Sequence, residues 1–209
     1  MQTSEYFAFL VNEIHSVIAA TVDDNGKPVT CAIDIMDYDE SCLYFLTAKG
    51  KGFYKRLKNQ EYIAFTGMKG NDTMSRIAVS VNGKVREIGS DILPRLLEKN
   101  PYMYDIYPTE SSRSALTVFK IYDGRGEWFD LSKKPIERAE FIFGETNKTE
   151  RGYTVSENCI SCCSCLKVCP QSCIDIINEK AVIRRENCLH CGNCLNICPV
   201  SAITERGQL

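Results

Sequence analysis

Eight cysteines in the last quarter of the chain follow one spacing that occurs twice. Each set reads C-x2-C-x2-C-x3-C-P, and the members are Cys159, Cys162, Cys165 and Cys169-Pro170, then Cys188, Cys191, Cys194 and Cys198-Pro199. Soft thiolate ligands select iron–sulfur clusters or zinc over hard cations. In bacterial iron–sulfur runs of this form, the fourth cysteine ligates the other cluster. The spacing therefore predicts two 4Fe-4S clusters, one held by Cys159, Cys162, Cys165 and Cys198, the other by Cys188, Cys191, Cys194 and Cys169.

The two sets belong to an internal duplication with an offset of twenty-nine residues. The offset also superimposes Pro170 on Pro199, Ser172 on Ser201 and Ile174 on Ile203. Two further cysteines break the repeat, because Cys163 stands opposite Gly192 and Cys173 stands opposite Ala202. Free cysteine packs as a small hydrophobic residue, which favours a packing role for both. A spare thiol or an alternative ligand register at Cys163 stays open.

Zinc and disulfides are the alternative uses of these cysteines. Structural zinc favours two separated C-x2-C pairs rather than a duplicated triple followed by C-x3-C-P. Disulfides need an oxidising compartment. The start of the chain lacks a basic region, and its apolar run from Phe7 to Val11 is too short for a signal or spanning helix. We therefore expect a cytoplasmic iron–sulfur protein without a membrane partner, in which His190 is an exposed loop residue.

The remainder of the chain has a different composition. Ten of the twelve cysteines fall between Cys159 and Cys198, so the composition changes near residue 150. We expect one domain over residues 1–131, a linker or docking segment over 132–152 and an iron–sulfur domain over 153–209. The formal net charge is −2 with no basic block, which argues against nucleic acid as a partner. Clusters of the predicted kind indicate an organism that lives with little oxygen.

A leading helix and many short strands are expected to make up the first domain. Apolar residues from Phe7 to Ile14 repeat at helical spacing, with Thr3 or Ser4 as the cap. Further helices are expected over 51–59 and 91–99, and strands over 16–22, 29–36, 42–47 and 61–67. Two hairpins are expected, over 75–88 with a turn at Asn82-Gly83 and over 114–131 with a turn at 123–126. The segment IERAEFIF, residues 136–143, is expected to be a strand or docking segment.

Six or more short antiparallel strands predict a mainly β fold closed as a barrel. Neither G-x-G-x-x-G nor G-x-x-x-x-G-K-[ST] occurs, which argues against dinucleotide and P-loop folds. A Ser-His-Asp site is hard to build because His15 and His190 are the only histidines. No general acid stands out: Tyr102, Tyr104 or Tyr107 could donate protons, but aromatic packing accounts for this cluster more simply.

The order of the segments VIAATVDDNGKPVTCAIDI, LYFLTAKGKGFYKRLKNQEYIAF and IAVSVNGKVREI resembles the FMN-binding split barrel of the pyridoxamine 5′-phosphate oxidase-like family over residues 1–130. The tail from Tyr153 to Arg206 resembles the bacterial-type two-cluster ferredoxins. The resemblance implies a split β-barrel with flanking helices, followed by a small α+β ferredoxin-like domain. It also implies a homodimer that holds FMN in clefts between two barrels.

Seven residues are implied by the resemblance as FMN contacts. They are Thr30, Cys31 and Ala32 along the ring, and Thr47, Lys49, Lys51 and Gly52 at the phosphate. A hydroxyl, ammonium groups and the amides of a helix N-terminus all suit a phosphate. A solvated basic face accounts for Lys55, Arg56 and Lys58 instead. The arginines with which the oxidase itself binds phosphate are missing and the ferredoxin tail replaces its substrate-binding segment, so pyridoxamine phosphate is a poor substrate candidate.

The sequence favours a flavin and iron–sulfur oxidoreductase that passes electrons to or from a small acceptor. A second hypothesis is a non-enzymatic electron carrier that serves a redox partner protein. A third keeps the fold but exchanges FMN for a deazaflavin or haem, and the scarcity of histidine disfavours haem.

Overall fold

A computed structural model of the chain describes residues 1–147 and 151–207. Parts of the predicted linker (148–150) and of the predicted tail domain (208–209) therefore lie outside the described residues. The chain divides into two compact units. The first contains Met1–Asn71, Ile77–Trp128 and Glu140–Thr146, and the second contains Asp72–Arg76, Phe129–Ala139 and the described part of Asn147–Leu209. We call them the barrel unit and the cysteine unit.

The first part of the chain, up to residue 147, contains five α-helices and eight strands. The helices are α1 (Thr3–Phe9, continued by a π-helical turn Leu10–Ile14), α2 (Gly52–Gln60), α3 (Leu93–Lys99), α4 (Met103–Ile106) and α5 (Glu110–Arg113). The strands are β1 (Ser16–Val22), β2 (Pro28–Asp34), β3 (Asp37–Tyr38), β4 (Leu43–Ala48), β5 (Tyr62–Lys69), β6 (Ile77–Gly89), β7 (Leu116–Asp130) and β8 (Glu137–Phe143). A short 3-10 helix, Thr73–Ser75, precedes β6.

These strands form one curled sheet in the order β2-β1-β5-β6-β7-β4-β3, with β8 also paired to β7. The pairing of β1 with β2 is antiparallel and sets Ala19 opposite Cys31. The pairing of β4 with β7 sets Thr47 opposite Thr117. The predicted mainly β, split-barrel fold is confirmed.

Both predicted hairpins are wrong, because β6 and β7 run without a turn through Asn82-Gly83 and through residues 123–126. The glycines serve close packing of two backbones instead of a turn. A Cβ on Gly124 would lie 2.3 Å from the Asn82 carbonyl oxygen and 2.7 Å from the Gly83 Cα. Only residues without a side chain fit at this approach, so a glycine that resembles a turn signal marks a strand contact here.

Replacing Gly124 with alanine is expected to destabilise the barrel unit by about 3 kcal/mol, because the backbone of β6 must move to accept the new methyl group. The matched control is Gly50→Ala, since a Cβ on Gly50 meets nothing within 4 Å and its φ lies outside the left-handed region. Urea unfolding followed by the fluorescence of Trp128, the only tryptophan, measures both. Equal stability of the two variants would contradict the close approach.

The helices of the barrel unit are mostly where the sequence predicts them. Helix α2 covers the predicted 51–59 with a shift of one residue, and α3 carries Pro94 in its first turn as expected. The predicted cap of α1 is wrong, because Gln2 rather than Thr3 or Ser4 precedes the first turn. The Gln2 backbone N–H donates to Glu5 Oε2 at 2.5 Å, which ties the start of the helix.

The cysteine unit is small and repeats its elements as its sequence does. It contains β9 (Gly152–Val155), α6 (Ser164–Val168), β10 (Ile174–Ile177), β11 (Lys180–Ile183), a 3-10 turn (Arg185–Asn187), α7 (Asn193–Ile197) and β12 (Ile203–Arg206). Strands β10 and β11 form one antiparallel pair, and β9 and β12 form another. The residues before α6 and α7 both have left-handed backbones, with φ of 60° at Cys163 and 78° at Gly192. The duplicated backbone explains why a glycine stands at one of these two positions.

Candidate functional site

A first cavity in the cysteine unit, of about 350 Å³, is lined by thiols from both repeats. Cys159, Cys162 and Cys165 come from the first repeat, and Cys198 comes from the end of the second. We call it the first thiol cavity. Apolar side chains that include Val155, Ile176 and Val200 complete its wall.

A second cavity, of about 320 Å³, has the reciprocal composition. Cys188, Cys191 and Cys194 of the second repeat line it together with Cys169 of the first. We call it the second thiol cavity. The structure thus groups the eight thiols into the two crossed sets that the spacing predicts, while ligation itself stays a prediction.

The donor chemistry at both cavities suits anionic sulfur. Backbone N–H groups point at three of the sulfurs: Ala202 N–H donates to Cys198 Sγ at 3.2 Å, Cys173 N–H to Cys169 Sγ at 3.4 Å, and Ala181 N–H to Cys159 Sγ at 3.5 Å. Such bonds help to set the potential of a bound cluster. Among residues 1–147 and 151–207, no three His, Cys, Asp or Glu side chains converge as they would on a single metal ion.

Three other residues of the cysteine unit were singled out by the sequence. Cys163 lies at the first thiol cavity, and its Sγ is 3.3 Å from the Ser161 carbonyl oxygen, to which it donates. Cys173 lies at the second thiol cavity and is only 2% exposed, so its expected place in the core is confirmed. His190 is half-buried rather than exposed, and its Nδ1 lies 2.6 Å from a guanidinium nitrogen of Arg138.

A third cavity lies in the barrel unit and spans about 900 Å³, open solvent included. It is lined by Cys31, Ala32, Ile33 and Asp34 of β2, by Met36, by Leu46, Thr47 and Ala48 of β4, by Lys51 and Phe53 at the start of α2, and by Met103, Ile106 and Tyr107 in and after α4. We call it the barrel cleft. Apolar side chains and a few polar groups together line it, as in most sites for small ligands.

Four of the seven residues predicted to contact FMN line the barrel cleft: Cys31, Ala32, Thr47 and Lys51. The other three lie beside it without lining it. Thr30 on β2 and Lys49 after β4 are both exposed. Gly52 is the first residue of α2. None of the seven is tested as a ligand contact by this placement.

One end of the barrel cleft has the features of an anion site. Helix α2 is nine residues long, and the side chain of its N-cap residue, Lys51, makes no capping hydrogen bond to the first turn. The first amides of such a helix and its dipole attract anions. Thr47 is 4% exposed and the Lys51 side chain is exposed, so a hydroxyl and an ammonium group flank the helix start.

Burial raises the pKa of the Cys31 thiol above its usual value, and the nearby cations Arg56 and Lys51 only partly offset this. The thiol therefore stays neutral on the wall of the barrel cleft. Arg56 is tied to the barrel by an Nε–H bond to Thr21 Oγ1 at 2.8 Å. Lys58 pairs with Glu87 at 3.1 Å, which supports the solvated basic face expected there.

A polar cluster of His15, Tyr102 and Asp34 adjoins the barrel cleft, which Asp34 itself lines. The Tyr102 hydroxyl donates to Asp34 Oδ2 at 2.7 Å and lies 2.9 Å from His15 Nε2. His15 Nε2 is 3.6 Å from the same carboxylate oxygen, and Ser16 Oγ donates to Asp34 Oδ1 at 2.6 Å. We call these three residues the proton cluster. The Tyr102 ring packs edge-on against His15 with 5.7 Å between the ring centroids, as the aromatic-packing interpretation expects, and its hydroxyl is in addition held by Asp34 and His15.

The backbone and the environment hold the proton cluster in place. His15 has φ of 63° and ψ of −65°, a region that non-glycine residues rarely occupy and that is often found at functional sites. Burial, together with the hydrogen bond to Asp34 and its charge, raises the pKa of Tyr102 above its ordinary 10.0. The hydroxyl therefore remains a donor at neutral pH. His15 and Asp34 are each 31% exposed, which leaves a path to water.

Sequence reasoning missed Asp34, Met36, Met103, Ile106 and Tyr107 as cleft residues. Asp34 directly follows the strand that the resemblance placed along the flavin, and this was the signal available. The residues in and after α4 carried no such signal, because they lie far from β2 along the chain. Sixty-eight positions separate Tyr102, just before α4, from Asp34.

The curled barrel with its cleft and the duplicated cysteine unit define a class of redox protein in which a cofactor barrel is joined to a two-cluster domain. The comparison with family models agrees. The model of pyridoxamine 5′-phosphate oxidase matches residues 3–122, and the 4Fe-4S dicluster domain matches residues 158–202. The chain therefore belongs to the pyridoxamine 5′-phosphate oxidase family and carries a ferredoxin domain, which supports a role in electron transfer.

Solved structures share the barrel fold at low sequence identity. A NimC/NimA family protein of Clostridium acetobutylicum has a TM-score of 0.55 at 17% identity, covering 67% of this chain and 91% of its own. A pyridoxamine 5′-phosphate oxidase-related, FMN-binding protein of Nostoc punctiforme has a TM-score of 0.50 at 12% identity, covering 69% and 91%. A haem-binding protein of Mycobacterium smegmatis has a TM-score of 0.53 at 11% identity, covering 68% and 58%.

A search of the curated proteins found no significant match. Over the part of the chain that the structure describes, no helix has the length and apolar character needed to cross a bilayer.

Proposed function

We propose that this protein is a flavin and iron–sulfur oxidoreductase that reduces a small acceptor, such as a quinone, nitro compound or enone, with electrons from two 4Fe-4S clusters and FMN. The observation that carries the proposal is the grouping of the eight thiols into two crossed sets of four in a chain whose barrel also has a cleft beside the start of α2, lined by Thr47 and Lys51. Bound clusters exchange single electrons and FMN converts between one- and two-electron chemistry, so the protein supplies position, protons and access.

The cluster ligands follow from the two thiol cavities. Cys159, Cys162, Cys165 and Cys198 hold one cluster, and Cys188, Cys191, Cys194 and Cys169 hold the other. The backbone N–H groups that already point at Cys198 and Cys169 stabilise the negative charge of the ligated sulfurs.

FMN is the favoured ligand of the barrel cleft because one end of the cleft suits a phosphate. The Thr47 hydroxyl, the Lys51 ammonium and the first amides of α2 hold the phosphate, and β2 runs along the ring. A deazaflavin makes similar demands at that end and is the alternative. Haem is disfavoured because no histidine lines the cleft among the described residues, and His15 is engaged by Tyr102.

Replacing Lys51 with alanine is expected to weaken FMN binding about tenfold, which is the value of one charge-assisted hydrogen bond at an exposed site. Lys49→Ala is the matched control, because Lys49 lies two residues away and does not line the cleft. It is expected to bind FMN within about twofold of the parent protein. Quenching of FMN fluorescence during titration of the apoprotein measures both. Equal losses in the two variants would show a general effect of charge and contradict the assigned phosphate site.

The proton cluster favours an enzyme over a simple electron carrier. Two-electron reduction of a quinone consumes two electrons and two protons, whereas electron transfer between metal centres needs no proton. Asp34 at the cleft, Tyr102 and the partly exposed His15 form a hydrogen-bonded path from water to the bound acceptor. A proton from solvent would pass from His15 to Tyr102 and from Tyr102 to the Asp34 carboxylate, which would then give it to the acceptor.

The experiment that separates an enzyme from a carrier is anaerobic mixing of the purified protein with a reductant and a panel of small acceptors. Steady turnover without a second protein is the expected result. Oxidation of the bound cofactors for one turnover, followed by no further reaction with any acceptor, would support the carrier hypothesis instead.

We further propose a homodimer formed through the outer face of β1 and β5. Ile18, Val22 and Met68 are 56%, 40% and 57% exposed on this face, beside the edge strand β2 that bounds the cleft. Covering such an apolar face is a common reason for association. A monomeric mass in sedimentation equilibrium would contradict this.

We also propose a cytoplasmic location in a cell with little oxygen, where oxygen-sensitive clusters persist.

A further inference from the structure

The two repeats of the cysteine unit differ at one buried position next to the fourth cysteine of each. Cys173 and Ala202 are equivalent, and each stands four residues after that cysteine. The backbone N–H of each residue donates to the sulfur of the fourth cysteine in its repeat. Cys173 N–H donates to Cys169 Sγ at 3.4 Å, and Ala202 N–H donates to Cys198 Sγ at 3.2 Å. Both residues are buried, at 2% and 1% exposed. Only Cys173 adds a side-chain donor.

The Cys173 thiol is placed to donate to a predicted cluster ligand. Its Sγ lies 3.4 Å from Cys169 Sγ on the wall of the second thiol cavity. The proposed ligand Cys169 would bind a cluster as a thiolate, which has no S–H group, so the hydrogen of this contact belongs to the Cys173 thiol. In the first thiol cavity, the methyl group of Ala202 offers nothing equivalent.

We propose that Cys173 donates a hydrogen bond to the Cys169 sulfur and thereby raises the reduction potential of the cluster in the second thiol cavity above that of its twin. This rests on the proposed function, because it requires both clusters. Reduction adds negative charge to a cluster and its sulfurs, and a donor stabilises the reduced state more than the oxidised one. The added electron then resides mainly on the cluster of the second cavity.

The size of the effect follows from one hydrogen bond to a charged acceptor. Such a bond is expected to favour the electron on the second cluster about tenfold, which corresponds to about 59 mV for a one-electron couple. The internal repeat gives the natural reference, since the two cavities share the same backbone donor and the same ligand spacing.

Reciprocal substitutions test this in the intact protein by anaerobic redox titration monitored by electron paramagnetic resonance. In Cys173→Ala, the higher of the two potentials is expected to fall by about 59 mV while the lower one stays unchanged. In Ala202→Cys, the lower potential is expected to rise. Cys173→Ser keeps a donor at the same place and is expected to retain more of the gap than Cys173→Ala.

The outcomes separate this inference from the proposed function. Iron and sulfide analysis of the parent protein comes first, and absence of clusters there would refute the proposed function itself. Full clusters with unchanged potentials in Cys173→Ala would overturn the hydrogen-bond role. Loss of one cluster in Cys173→Ala would also overturn it, because Cys173 would then be a ligand.

Discussion

Replacing Cys198 with alanine is expected to remove the cluster of the first thiol cavity and to leave the other cluster in place. The iron content should fall from about eight to about four per chain, as the loss of one 4Fe-4S cluster requires. The physical reason is that Cys198 lines the cavity of Cys159, Cys162 and Cys165, although it follows Cys194 directly in the second repeat. Iron and sulfide assays on anaerobically purified protein measure the loss.

Spectra of three variants decide whether the ligands cross between repeats. If they cross, Cys198→Ala and Cys159→Ala remove the same cluster and leave identical paramagnetic spectra, whereas Cys194→Ala removes the other one. A match between Cys198→Ala and Cys194→Ala would contradict the crossed assignment. Cys163→Ala is the control for the effect of removing any thiol from this cavity, because Cys163 Sγ donates a hydrogen bond to a backbone carbonyl there. This variant should retain all the iron.

Replacing Tyr102 with phenylalanine is expected to slow the reduction of a proton-consuming acceptor by about 100-fold, since positioned proton transfer contributes that much or more. The substitution removes the hydroxyl that joins His15 to Asp34 and keeps the ring. Reduction of ferricyanide, which accepts an electron without a proton, should be unchanged in the same variant. Asp34→Asn should show the same split, because the amide cannot take the proton from Tyr102 and pass it on.

Tyr104→Phe is the matched control for the loss of Tyr102, because Tyr104 is 44% exposed and lies outside the proton cluster. Its rates with both acceptors should stay within about twofold of the parent protein. The raised pKa of Tyr102 adds a pH test, since its hydroxyl stays protonated above its ordinary 10.0 and should not limit the parent rate below that pH. Equal losses with quinone and ferricyanide would contradict a proton role and indicate a structural defect.

Short-range patterns made much of the architecture predictable from the sequence. The cysteine spacing could predict two crossed sets because ligands at a fixed spacing can surround a cluster of fixed size in only a few arrangements. The basic segment that starts at Lys51 could predict α2 because helix signals are local. Gly83 and Gly124 misled the prediction, since the same residue types serve turns and close strand contacts.

The rest of the candidate site depends on long-range packing that no local pattern carries. The contact of Tyr102 with Asp34 joins a loop after α3 to an edge strand. The sequence predicts Cys173 as a core residue, and only the placement of its sulfur 3.4 Å from Cys169 Sγ gives it the proposed redox role. In both cases the residue type was visible in the sequence but the partner was not.

Anaerobic purification followed by iron, sulfide and released-flavin analysis with an absorption spectrum tests both cofactor assignments at once. We expect about eight irons and about one flavin per chain, the content of two 4Fe-4S clusters and one barrel cleft. Fewer than about four irons, or zinc in their place, would contradict the iron–sulfur assignment. Full clusters without any flavin would contradict the role given to the barrel cleft.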